Sequence, residues 1–233
     1  MDGKIQAVIF DAAGTLLHLR EPVGETYARL AAQFGVATPA TRLTEAFGRV
    51  FAAAPPNVYP GEPLWRSAAL ERAWWKTLVR DTFRAADQMV RFDDFDGFFD
   101  TVWETYAGAG AWSVAVGAEA ALDTLAAGGR QLAILSNFDQ RLRPLLRALG
   151  LHERFDAITT PADAGAAKPE KQIFDVCLKR LGLPGHRTVY VGDHPDQDVA
   201  GARSAGLHPF DVNALTTLAD LPAALEAFEK ELP

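Results

Sequence analysis

The spacing of apolar positions changes character along the chain. The first apolar run, Ala7-Val8-Ile9-Phe10, is short and unbroken and leads into Asp11-Ala12-Ala13-Gly14-Thr15. That pattern predicts a buried strand entering a tight turn, with Asp11 at the strand's carboxyl end. Residues 17–22 read as a connector. A helical period then takes over: Val23, Tyr27, Leu30, Ala31 and Phe34 recur before a stop at Gly35. Thr38-Pro39 offers an N-cap and first-turn pair for a second helix carrying Leu43, Phe47, Val50 and Phe51. After a Pro/Gly-rich loop at 55–63 come two more helical stretches. One holds Trp65, Trp74, Trp75 and Leu78; the other holds Phe95, Phe98, Phe99, Val102, Trp103 and Tyr106. No strand is expected between 17 and 112, so this region reads as a four-helix cap inserted into another domain.

From there strand and helix patterns alternate. Ala118–Ala127 predicts a helix ended by Gly128-Gly129, and Gln131–Leu135 a strand. Asp139 is placed to cap a helix carrying Leu142, Leu145, Leu146 and Leu149. Strands follow at 155–159, 188–191 and 207–210, separated by helices at 173–181 and 199–205. Such alternation implies a parallel sheet with right-handed crossovers, hence an α/β core of Rossmann-like type formed by residues 1–16 and 113–233, with the cap at 17–112. Parallel sheets gather ligand sites at their carboxyl edge, where all the polar strand tips would fall.

Composition narrows the function classes. A chain of 233 residues is long enough for one α/β core with a smaller insert. A net charge of −7 argues against nucleic-acid and anionic-membrane surfaces. Cys177 is the only cysteine, which suits a reducing cytoplasm, and neither a leader pattern nor a membrane-length apolar run is present. A small-molecule substrate and a monomer or homodimer are expected.

The tips carry the chemistry. Asp11-x-x-Gly14-Thr15, Ser136-Asn137, Lys168-Pro169 and Gly192-Asp193 with Asp198 five residues on occur in that order. Together they resemble the haloacid-dehalogenase superfamily. Leu19-Arg20-Glu21-Pro22-Val23-Gly24, Trp74-Trp75 and Ser136-Asn137-Phe138-Asp139 look like its haloacid-dehalogenase-like-domain hydrolases. The resemblance implies a Mg²⁺-dependent phosphatase working through an aspartyl-phosphate on Asp11. It places Thr15, Ser136, Asn137 and Lys168 beside the nucleophile. It gives the metal to Asp11, the carbonyl of Ala13, Asp193 and Asp198. Elementary electrostatics agrees, because clustered carboxylates repel and require cations, and Mg²⁺ prefers carboxylate oxygen.

One position departs from that pattern. Family phosphatases carry a second Asp two residues after the nucleophile, as proton donor to the leaving group; here the residue is Ala13. A positioned acid is worth ~10²–10⁴ in rate, so turnover should be weak or restricted to leaving groups that need no proton. Rival readings are an idle fold, a 2-haloacid dehalogenase, and a phosphonate hydrolase, which also carries Ala at this position but needs a cap lysine. Lys76 is the only lysine in the cap. His18, at the cap hinge, and His194, beside Asp193, are weaker candidates for a substitute donor.

Overall fold

The computed structural model describes residues 4–232. Its strands are β1 (Ala7–Phe10), β2 (Leu17–Leu19), β3 (Trp112–Val114), β4 (Gln131–Leu135), β5 (Ala157–Thr159), β6 (Thr188–Gly192) and β7 (His208–Asp211). Its helices are α1 (Val23–Ala32), α2 (Ala40–Ala53), α3 (Leu64–Ala86), α4 (Phe95–Ala107), α5 (Ala118–Ala127), α6 (Leu142–Ala148), α7 (Pro161–Ala164), α8 (Lys171–Leu181), α9 (Gly201–Ser204) and α10 (Leu221–Glu231). By contact the chain divides into one unit of Met1–His18, Val58–Gly61 and Val114–Pro233 and another of Leu19–Asn57 and Glu62–Ser113.

In the first unit five strands form a parallel sheet in the order β5-β4-β1-β6-β7. The apolar runs are continuous because such a sheet is covered on both faces; β1 is buried at all four positions. Ile9 lies beside Ala133 on one neighbour and Tyr190 on the other. One face packs Ile9, Leu135 and Tyr190 against Ile173, Phe174 and Cys177 of α8. The connections leave β1 in both directions across the sheet, toward β4–β5 and toward β6–β7. That reversal opens a crevice at its carboxyl end, where Asp11 lies.

The second unit is helical. Tyr27, Leu30, Leu43, Val79, Phe83, Phe98, Phe99 and Val102 form its core. Gly24 accounts for part of the 19–24 motif. A Cβ there would lie 2.1 Å from the Ala40 carbonyl, so only glycine lets α1 approach the start of α2 this closely.

Several local expectations are corrected. β2 and β3, three residues each, pair as a ribbon within and beside a region expected to lack strands. Such short strands carry too little periodicity to be read from sequence. Thr38 does not cap α2. Pro39 is itself the flanking residue, with ψ of 131°, and the Thr38 hydroxyl makes no capping bond. Asp139 lies two residues before the N-cap position of α6, which Arg141 occupies; its carboxylate instead accepts from the Arg141 backbone N–H at 3.0 Å and from the Arg141 guanidinium. The helix expected at 199–205 is a π-helical turn, Pro195–Ala200, followed by the short α9. Helices α7 and α10 were not foreseen. No helix among the described residues is long and apolar enough to cross a membrane.

Candidate active site

Asp11, Ser136 and Asp193 each follow directly on a strand of the sheet, and Lys168 lies in the loop before α8. The structure brings Asp11 and Asp193 together with Asp198: carboxylate oxygens of Asp11, Asp193 and Asp198 lie within 4.8 Å of one another. Asp11, Thr15, Ser136, Lys168 and Asp198 are buried.

The turn after Asp11 is closed by the Ala12 carbonyl, which accepts the N–H groups of Thr15, Leu16 and Leu17, while Gly14 N–H donates to Leu17 O. The Ala13 carbonyl takes no part in these bonds. Gly14 is required twice over. Its φ is +95°, and a Cβ would lie 2.6 Å from the Asp193 carboxylate. Thr15 Oγ1 reaches Asp193 Oδ1 at 3.5 Å, the outer limit of a hydrogen bond.

Gly192 answers the same need for Asp198, whose carboxyl carbon would lie 2.5 Å from a Cβ there. The π-helical turn folds Asp198 back over its strand. One Asp198 oxygen accepts the N–H groups of Asp193 and His194 at 3.1 and 2.9 Å. The other accepts from Lys168 Nζ at 2.5 Å and Tyr190 OH at 3.0 Å. His194 caps the turn, its Nδ1 accepting from the N–H groups of Asp196 and Gln197.

Lys168 Nζ donates to Tyr190 OH at 2.8 Å and lies 2.9 Å from Asp11 Oδ1, an ion pair in distance but off the line of a hydrogen bond. Asp11 Oδ1 is therefore fully buried without an aligned donor. Burial holds the Asp11 carboxyl above the usual carboxylate range; Lys168 opposes this, and Asp198 adds to it. Burial works against the Lys168 ammonium too, but Asp11 and Asp198 outweigh it and raise its pKa, so Lys168 stays charged. Three carboxylates facing one ammonium leave a formal charge of −2, which a divalent cation would balance. The donors are all hard oxygens and one is unsatisfied, so the residues fit Mg²⁺.

The remaining candidates sort by contact. The Ser136 hydroxyl acts to lower the Asp11 pKa and accepts from Phe138 N–H at 3.3 Å. Asn137 clamps the backbone of Lys168: Oδ1 accepts Lys168 N–H at 2.7 Å, and Nδ2 donates to Lys168 O at 3.1 Å and Gln197 Oε1 at 3.2 Å. Ala13 and His18 are exposed. Lys76 pairs with Asp96 at 2.8 Å, inside the helical unit. Tyr190 and Gln197 escaped the sequence reading. The signal for Tyr190 was present, since a tyrosine inside an apolar central strand needs a partner for its hydroxyl. Gln197 carried none.

The sequence and fold can be set beside known proteins. Residues 5–206 match the family model described as haloacid dehalogenase-like hydrolase. The chain is 34% identical over 207 residues, 89% of its own length and 81% of the relative's, to haloacid dehalogenase-like hydrolase domain-containing protein 3 of Mus musculus. It is 35% identical over 94 residues, about two fifths of either chain, to a glyceraldehyde 3-phosphate phosphatase of Methanothermobacter thermautotrophicus. A HAD phosphatase structure from Thermococcus onnurineus superposes with a TM-score of 0.64 at 25% identity, covering 94% of this chain and 97% of that one. With Asp11 at the switch of a parallel sheet and the family model spanning most of its length, the chain belongs to the haloacid dehalogenase-like hydrolases.

Proposed function

We propose that this hydrolase is a Mg²⁺-dependent phosphatase of small phosphorylated metabolites, acting through Asp11. The observation that carries the reading is the buried Asp11–Lys168 pair at 2.9 Å, set beside Asp193 and two hydroxyls at the strand ends. Asp11 attacks phosphorus, the bond to the leaving oxygen breaks, and an aspartyl-phosphate forms. Water then attacks that phosphorus, the Asp11–phosphorus bond breaks, and inorganic phosphate leaves. Thr15, Ser136 and Lys168 hold the phosphoryl oxygens through both steps. Asp11, Asp193 and the Ala13 carbonyl would hold Mg²⁺, which when bound supplies charge neutralisation on the phosphoryl group. Both Asp198 oxygens are already taken by donors, so we assign it to positioning Lys168 and the 193–194 backbone.

Ala13 offers neither an acid for the leaving oxygen nor a base for the water. Aryl and acyl phosphates should therefore be cleaved better than alkyl esters, and the second step should lag the first. We take residues 17–112 as a cap that selects the substrate and, on charge and cysteine content, place the protein in the cytoplasm as a monomer or homodimer.

A panel of p-nitrophenyl, acetyl and alkyl phosphates, phosphonoacetaldehyde and 2-haloacids, with and without Mg²⁺, tests the reading. Phosphate release that needs Mg²⁺ and vanishes in Asp11→Asn is expected, with p-nitrophenol appearing in a burst ahead of phosphate. Hydrolysis surviving in Asp11→Asn would remove Asp11 from the mechanism. Halide release without Mg²⁺ would turn the assignment to dehalogenation.

A further inference from the structure

The helical unit contains a cleft of about 450 Å³, a size within the range of small-molecule sites. It is built wholly from residues of that unit: Arg80, Phe83 and Arg84 from the last turns of α3, Arg91 and Phe92 from the loop that follows, and Phe95 at the start of α4. The aromatic floor is continuous. Phe83 and Phe92 lie 5.1 Å apart, and Phe92 and Phe95 5.5 Å.

Two of the three guanidinium groups are held in place. Arg80 lies over the Phe95 ring, 4.7 Å from its centroid. Arg91 donates to the carbonyls of Gln88 and Val90 at 2.9 and 2.7 Å. Groups already fixed lose little freedom when a ligand arrives. Asp81 approaches Arg84 only to 4.0 Å, and Asp96, whose charge interacts with Arg80, is taken by Lys76 at 2.8 Å. Arg80, Arg84 and Arg91 line this cleft together with Phe83, Phe92 and Phe95.

Guanidinium forks match phosphate oxygens bidentately, and flat rings stack on phenyl and guanidinium planes. We infer that this cleft binds a small aromatic phosphate ester the size of a nucleoside monophosphate. Its ring lies against Phe92 and Phe95, and its phosphate lies on Arg84 and Arg91. The site is one of binding and has no part in the hydrolysis at Asp11.

Calorimetry with adenosine monophosphate, adenosine and inorganic phosphate as probes tests the inference, with EDTA present to stop turnover. Adenosine monophosphate should bind saturably, and adenosine and phosphate each at least ~10-fold more weakly, because each lacks half of the contacts. Arg84→Glu should weaken the nucleotide at least ~10-fold, and Arg84→Glu with Arg91→Glu should abolish binding. Hydrolysis of p-nitrophenyl phosphate should be unchanged in both. If the double variant melts early, the single Arg84→Glu decides, since that side chain is 68% exposed and changing it leaves the core intact. Three results would overturn the inference: no saturable binding below ~10 mM, an affinity unchanged in a folded Arg84→Glu, or phosphate binding as tightly as the nucleotide.

Discussion

At the residue scale, Ala13 and Lys168 make the sharpest claims. Ala13 is exposed beside the nucleophile turn, so a carboxylate placed there meets no packed wall of its own unit. Ala13→Asp should raise hydrolysis of alkyl phosphates at least ~10-fold, part of what a positioned acid supplies. The gain should be far smaller on p-nitrophenyl phosphate, and equal gains on both would show that leaving-group protonation is not the missing step. Lys168 stands between two buried carboxylates, at 2.9 Å from Asp11 and 2.5 Å from Asp198. Lys168→Met keeps the volume but strands those charges and should cost about 3–5 kcal/mol in urea unfolding. A loss under ~1 kcal/mol would mean that the carboxylates do not depend on this ammonium. The residue types at both positions were legible in the sequence. The work done by Asn137 was not: motif order put it beside Asp11, whereas its amide is spent on the Lys168 backbone.

At the element scale, Asp163 joins α6, α7 and α8. It forms a capping box with Thr160 and accepts from Arg143 at 2.8 Å and Arg180 at 3.0 Å. Burial pushes its carboxyl up, but the two guanidinium groups and the Thr160 N–H more than offset this and hold it below the usual range. A pKa depressed on folding contributes stability that is present above the unfolded value, ~3.9, and is lost as pH falls through the folded one. Asp163→Asn should therefore cost about 1 kcal/mol at pH 7, a figure discounted because both arginines are about a third exposed. The deficit should shrink in urea titrations below pH ~4. A deficit undiminished in acid would remove the carboxylate charge as its cause. None of this network could be read from sequence, since α7 is four residues long and its partners lie 17 and 20 positions away.

At the scale of the whole molecule, metal and stability are linked. A cation that binds only the folded chain adds about 2.7 kcal/mol at 100 times its Kd, or ~5–10 °C in a chain of this size. Mg²⁺ should raise Tm by that order, and Asp193→Asn should erase most of the gain. A wild-type protein whose melting ignores Mg²⁺ would count against the metal assignment, whatever its activity.

The sequence by itself determined the fold class and which polar strand tips share one edge of the sheet. Short apolar runs such as 7–10 and 132–135, bounded by turn residues, read as strands covered on both faces, and the alternation of strand and helix then places Asp11, Ser136 and Asp193 at one edge of a parallel sheet. The alanine two residues after Asp11 was likewise legible, because it is one letter at a fixed distance. Only the tertiary structure decided what each polar group does there. Asp198 spends both oxygens on Lys168, Tyr190 and two backbone N–H groups, and Asn137 spends its amide on Lys168 and Gln197. The tertiary structure also decided that Arg80, Arg84 and Arg91 share a cleft with three phenyl rings. The reason is geometric. Periodicity records which face of an element meets the core, whereas hydrogen-bond partners depend on sub-ångström approach between distant segments, such as those of Thr15 and Asp193, 178 residues apart, which no local pattern encodes.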